Sequence, residues 1–125
     1  MTPRPLTRLR KICLALPEAH EKEGWGESTF RVRDKIFAMH ASALNHHGRG
    51  RSGVWCKAAP SNQEFMVRHA PTRLFVPPYA GKSGWVGVYL DGDVDWGELA
   101  ELLRDSYRLT APKRLIGIGN SLGVR

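Results

Sequence analysis

The run from Phe75 to Leu90, Phe-Val-Pro-Pro-Tyr-Ala-Gly-Lys-Ser-Gly-Trp-Val-Gly-Val-Tyr-Leu, constrains the fold more than any other part of the chain. Prolines stiffen its start, glycines punctuate its middle, and its end alternates as a strand. Val86, Val88 and Leu90 fall on one face, and Trp85, Gly87 and Tyr89 on the other. An aliphatic face of this kind is a core face. On the second face Gly87 leaves a gap between two amphipathic aromatics, the mark of a close approach by something else. Two readings stand: a helix or loop covers Trp85 and Tyr89, or they form an open platform on which a base or a peptide stacks.

The loop before that strand imitates a phosphate-binding loop without being one. Gly81-Lys82-Ser83 matches the end of the motif, but Val76 stands where its first glycine belongs. The loop also precedes a strand, where the motif follows one and opens a helix. Nucleotide hydrolysis is excluded on that ground, and Lys82 is left as an outward-pointing charge.

At 125 residues and 14.0 kDa the chain has the size of one domain, enough to bury roughly two thirds of its unfolded surface. A single domain over residues 1–115 and a tail over 116–125 are expected. Cys13 and Cys56 form no CxxC and sit in apolar surroundings, as reduced buried thiols of a cytoplasmic protein do. No apolar run approaches the length of a membrane span, and no signal-peptide pattern precedes the first helical segment. Charge is the strongest global hint: 19 Lys and Arg against 12 Asp and Glu give +7, and 13 of the bases are arginine. That balance favours a polyanionic partner, although high-GC genomes also enrich arginine with no binding role.

Leu6, Leu9, Ile12, Cys13 and Leu16 recur at helical spacing over about residues 4–16, with Pro17 as the stop. Arg4, Arg8 and Lys11 line the other side, with Arg10 nearby: a solvated face or a phosphate-tracking stripe. An acidic connection, Glu18 to Glu27, carries Trp25 between glycines. Thr29 to Val32 and Ile36 to His40 then read as a hairpin joined by Arg33-Asp34-Lys35. In it Phe30 and Val32 share a face, and Ile36, Ala38 and His40 oppose Phe37 and Met39. Residues 42–53 form a long, flexible, glycine-rich basic connection to the strand Val54 to Lys57, and Arg49 and Arg51 are its candidates for phosphate contact.

Ser61 and Glu64 have capping-box spacing for a short helix to about His69, with Phe65, Met66 and His69 inward. Asp95 caps the last helix, whose stripe is Trp96, Leu99, Leu102, Leu103 and Tyr107. Lys113-Arg114-Leu115 reads as a strand or turn. Two metal patterns fail: His46, His47 and Cys56 lack ligand spacing, and Asp91, Asp93 and Asp95 lack the glycine and bidentate glutamate of a calcium loop. No metal or cofactor is expected.

Taken in order, Leu16-Pro17-Glu18, Trp25-Gly26, Thr29-Phe30-Arg31-Val32, Lys35-Ile36-Phe37-Ala38, Cys56-Lys57, Pro78-Tyr79, Gly84-Trp85-Val86, Val94-Asp95-Trp96 and Ser106-Tyr107 resemble the MmcQ/YjbR family of small bacterial proteins. The resemblance covers roughly residues 5–115. It implies an α+β, CyaY-like two-layer sandwich: a bent antiparallel sheet with helices packed on one side. It also implies a double-wing DNA-binding role, by analogy of fold. The basic loop at 45–53 and the tail after Leu115 depart from the family pattern. Iron binding of the frataxin kind does not carry over, because the first helix is basic where an acidic ridge is required.

Three functions emerge as expectations. In the first, Arg31, Arg33, Lys35, Arg49, Arg51 and Lys57 contact nucleic-acid phosphates, while Tyr79, Lys82 and Trp85 line the concave face. In the second, Pro77, Tyr79 and Trp85 form a hot spot for a protein or an anionic small ligand. The third, an enzyme, finds no GxSxG, HExxH or paired carboxylates, and would need a perturbed histidine and a carboxylate sharing a deep pocket. The chain is expected to be a monomer or weak homodimer, away from membranes.

Overall fold

The computed structural model describes residues 4–44, 47–59 and 61–116. Helix α1, Pro5–Leu14, opens on a proline, at a position where no backbone N–H is needed. Strands β1 (Ala19–Gly24), β2 (Glu27–Val32), β3 (Lys35–Ala41) and β4 (Gly53–Lys57) follow. Helix α2 (Asn62–His69), strand β5 (Leu74–Phe75) and a 3-10 turn (Ala80–Ser83) lead to β6 (Trp85–Tyr89), and α3 (Trp96–Thr110) comes next. The strands make one antiparallel sheet in the order β1-β2-β3-β4-β6-β5. The helices cover one face of it, the α+β arrangement the sequence implied.

The core lies between that face and the helices. Phe30, Val32, Val54, Cys56, Val86, Val88 and Leu90 meet Leu9 and Cys13 of α1 and Leu99, Leu103 and Tyr107 of α3. The β6 alternation is therefore as read. So is the last helix, where Asp95 Oδ1 accepts from the Glu98 N–H at 3.0 Å. Leu99, Leu103 and Tyr107 of its stripe are buried, and Trp96 and Leu102 half-buried.

One irregularity positions everything on the far face. β2 and β3 pair Phe30 with Ala38 but Arg31 with Ile36, so Phe37 has no partner across the ladder. This β-bulge reverses the expected alternation. Phe37 joins Ala38 on the core face, edge-on to Tyr107 at 5.5 Å, and Ile36 joins Met39 on the other. On its other side β3 parts from β4 beyond Ala38 and Cys56, and α3 bridges the two strands there: the buried Ser106 hydroxyl donates to the Phe37 carbonyl and accepts from the Lys57 N–H at 2.8 Å.

Other expectations are corrected. The acidic connection contains a strand, β1, paired along its length with β2. Ser61 makes no side-chain cap and sits at φ 70, in the left-handed region and not in the extended backbone usual at a helix N-cap. Phe65 and His69 do not face inward; their rings stack on each other at 4.8 Å on the surface, and only Met66 is half-buried. Residues 113–116 are helical, neither strand nor turn, and Leu115 is buried. The described part of the 42–53 connection is held tightly: a Cβ on Gly48 would meet the Ser42 carbonyl oxygen at 2.2 Å. His46 and residues 117–125, all of the expected tail but Ile116, lie outside the described residues.

Both cysteines are free and buried in the core. Burial pushes the Cys56 thiol up to about 12, and Cys13 is raised by burial and then by Cys56. A thiol reagent should label neither in the native protein and both after denaturation; labelling of the native chain would contradict the packing. Their contribution to stability is complete below the ordinary thiol value of 9.0 and is lost as pH rises through the folded values. The melting temperature should therefore fall across pH 9 to 12.

Candidate ligand-binding site

Against the helix-covered face stands a face that, among the described residues, no α-helix covers. Its central residues are Met39 and Ala41 on β3 and Trp55 on β4, packed with Phe75, Ala80 and Trp85. Here the gap at Gly87 finds its occupant. A Cβ there would lie 2.2 Å from the Phe75 ring, so the close approach comes from the chain's own β5. Phe75 stacks on Tyr89 at 4.5 Å, and the Arg51 guanidinium lies 3.5 Å from the centre of the Tyr89 ring. Tyr89 is thereby covered.

Trp85 is not covered in that way. It is half-buried in the wall of a cleft of about 510 Å³, with Trp55, Met39 and Ile36 beside it. Trp25, Tyr79, Ala80 and His47 complete the lining. Trp55 is 3% exposed and belongs to the floor, whereas Trp25 and Tyr79, at 67% and 75%, stand at the rim. Both rim aromatics are held in unusual backbone. Trp25 and Gly26 turn the β1–β2 hairpin at φ 55 and 77, the pair of positive angles that a tight two-residue turn needs. Tyr79 sits at φ 66, ψ −56 with the Ala80 N–H on the Pro78 carbonyl at 2.7 Å, a strained γ-turn. Strain of this kind collects at functional sites.

One end of the cleft carries a buried polar pair. His47 Nδ1 lies 3.3 Å from Glu27 Oε2, the two side chains being 8% and 2% exposed. The Glu27 carboxylate also accepts from the Ser42 N–H at 3.1 and 3.2 Å, which fixes it at the end of β3. The His47 ring meets Trp55 edge-on at 5.9 Å and Tyr79 at 6.2 Å. His40 lies on the core side of β3, opposite Val54, and burial lowers its pKa. The buried Trp55 Nε1–H has no acceptor among the described residues.

The nine residues singled out for nucleic acid are scattered. Trp85 and Tyr79 meet in the cleft. Arg31 and Lys57 share its face; burial and then the neighbouring Lys35 lower the Lys57 ammonium below its ordinary value. Arg33, at φ 51 in the β2–β3 turn, is held by Glu18 at 2.7 Å, and Arg51 by both oxygens of Asp91 at 2.8 Å. Lys35, Arg49 and Lys82 are exposed, Lys82 in the 3-10 turn. The α1 bases lie on the helical side, where Arg10 clamps Glu21 at 2.9 Å and Arg8 lies 4.3 Å over the Trp96 ring.

Sequence reasoning missed Trp25, Ile36, Met39, Trp55, Ala80 and the pair Glu27 and His47. Alternation in β4 was the one available signal, since a core face of Val54 and Cys56 puts Trp55 on the other side. His47 and Cys56, weighed together as ligands, stand on opposite faces of the sheet.

Fold and site together define a small α+β protein with one helix-covered sheet face and one open aromatic face. A family model described as YjbR matches residues 14–109, and the chain belongs to the YjbR family. It is also similar to the crystal structure of Deinococcus radiodurans protein DR2400, of domain family DUF419, at 26% identity. That match covers 85% of this chain and 78% of the other, with a TM-score of 0.71. A search of curated proteins finds no match. Among the described residues, no helix is long and apolar enough to cross a membrane.

Proposed function

We propose that the protein is a binding module for a small, largely apolar ligand seated in the cleft of the open sheet face. The observation that carries this reading is the cleft itself: about 510 Å³, walled by three tryptophans and a tyrosine from separate segments of the chain. Its size falls within the range of small-molecule sites, and so does its make-up of apolar walls with a few polar groups. Binding without chemistry is the better-supported form. Glu27 and His47 are a carboxylate and a histidine at the pocket, but the carboxylate is held by the Ser42 N–H as well as facing His47, and the described lining holds no serine, threonine, cysteine or lysine for such a base to activate.

Titration with N-phenyl-1-naphthylamine, a neutral dye that brightens in apolar pockets, tests the reading. Saturable one-to-one binding is expected, and Ala80→Phe, which fills the cleft from its rim, should abolish it. No binding by the wild-type chain, or unchanged binding by the filled variant, would remove the cleft as a site.

Nucleic acid is the second reading, and one observation favours it. Lys22, Arg31 and Lys57 lie on the same sheet face as the tryptophans, the arrangement in which bases stack while phosphates meet cations. Against it, Arg33 and Arg51 already hold carboxylates. Anisotropy of a labelled duplex and a labelled single strand, from about 50 to 200 mM salt, separates the two. The ligand reading expects weak binding with a shallow salt slope, and a slope worth many phosphate contacts would favour nucleic acid.

A further inference from the structure

The lining of the cleft specifies the ligand further, provided that the cleft is the binding site. The chain has four tryptophans. Trp96, on the helical side, is capped by a cation, the Arg8 guanidinium 4.3 Å from its ring centre, much as Arg51 caps Tyr89 at 3.5 Å. The other three, Trp25, Trp55 and Trp85, all line the cleft, and among the described residues none has a lysine or arginine over its ring. They come from the β1–β2 turn, β4 and β6, and Tyr79 joins them from the turn before Ala80–Ser83. Four aromatic side chains from separate segments thus border one space.

Charge in and behind that lining favours a positive occupant. Apart from His47 the lining side chains are apolar or aromatic, and the described lining holds no lysine or arginine. Arg31 and Lys57 share the sheet face but stand outside the lining, and Arg31 is folded back past Thr29 with Nη2 beside Gly24. The charge directly behind the lining is negative. The Glu27 carboxylate, its side chain 2% exposed, lies 3.3 Å from His47 Nδ1. It accepts from the Ser42 N–H, and among the described residues no lysine or arginine lies within 4.0 Å of it. A buried carboxylate without a fixed counter-ion is stabilised by a cation brought near, and the negative faces of indole rings attract the same charge.

We infer that the cleft takes an organic cation, a quaternary or otherwise methylated ammonium on an apolar or aromatic body, its charged head among Trp25, Trp55, Trp85 and Tyr79. Methylation suits this lining. A primary ammonium brings three donors that need acceptors, and the described lining has no carboxylate or amide side chain to offer them, whereas a quaternary head needs none.

Two molecules of the same shape test this: phenyltrimethylammonium, which carries the charge, and tert-butylbenzene, which has carbon in place of the nitrogen. In the wild-type chain, where folding is not in question, the cation should displace N-phenyl-1-naphthylamine at a concentration about tenfold lower than its neutral counterpart. Trp25→Leu and Trp85→Leu keep an apolar side chain but remove a ring, and each should bring the two concentrations closer together by about threefold or more. Equal potency of the two molecules, or greater potency of tert-butylbenzene, with the dye still bound, would overturn the cation site and leave the cleft standing. A preference that neither variant reduces would also overturn it. If the dye does not bind the wild-type chain, the cleft reading fails and this inference with it.

Discussion

Ser106→Ala is expected to lower the unfolding free energy by about 3 kcal/mol, far more than the few tenths usual for a serine on a helix surface. The reason lies at the end of the β3–β4 ladder. Pairing between β3 and β4 stops at Ala38 and Cys56, and one position on, the Phe37 carbonyl and the Lys57 N–H do not bond each other. One hydroxyl serves both, donating to the first and accepting from the second. Alanine leaves two buried backbone groups without partners, each unfavourable by about 1–3 kcal/mol. Urea denaturation should show a lower midpoint with an unchanged slope, and Ser83→Ala, at an exposed position, should stay within about 0.5 kcal/mol of wild type. A Ser106→Ala loss under about 1 kcal/mol would mean that α3 does not hold β3 and β4 together at this point.

Glu27→Ala should be nearly as damaging, at about 3 kcal/mol, and should also reach the cleft. The Glu27 side chain is 2% exposed, and its carboxylate ties the Ser42 N–H and His47 to the end of the sheet. Removing it leaves a buried N–H unsatisfied and the His47 imidazole without its nearest acid. Since His47 lies against Trp55 and Tyr79, the cleft should loosen, with weaker binding of N-phenyl-1-naphthylamine. Glu27→Gln keeps an acceptor for Ser42 and should lose only about 1 kcal/mol. Equal losses in the two variants would argue that packing, and not hydrogen bonding, sets the value of this position.

Much of the fold was legible because core faces alternate with little ambiguity. Val86, Val88 and Leu90 on β6, Val54 and Cys56 on β4, and the α3 stripe all lie where the periodicity puts them. β1 escaped because Ala-His-Glu-Lys-Glu-Gly is polar on both faces, as an outer strand is when one side meets α1 through an ion pair and the other meets water. The cleft was legible in part. Trp85 and Tyr79 announced themselves by the glycine and proline pattern around them, but Trp25 sat in a segment read as connection. Ile36 and Met39 share a face only because the bulge shifts the alternation between them, and no local pattern signals a residue skipped by its partner strand. The pairing of Glu27 with His47 spans a chain reversal and depends on the loop pinched at Gly48, which composition describes as flexible.

The charged β1 has a consequence beyond its pairing with β2. A sheet with a wide apolar cleft on one face risks aggregation through its edges, where unpaired backbone groups can template a strand from another molecule. Here one edge is β1, with His20, Glu21, Lys22 and Glu23 along it, and the other is β5, two residues long. Neither offers a neighbouring chain a long apolar strand to extend. The molecule can therefore carry an apolar cleft on an open sheet face while its margins discourage fibre-like stacking of its own copies.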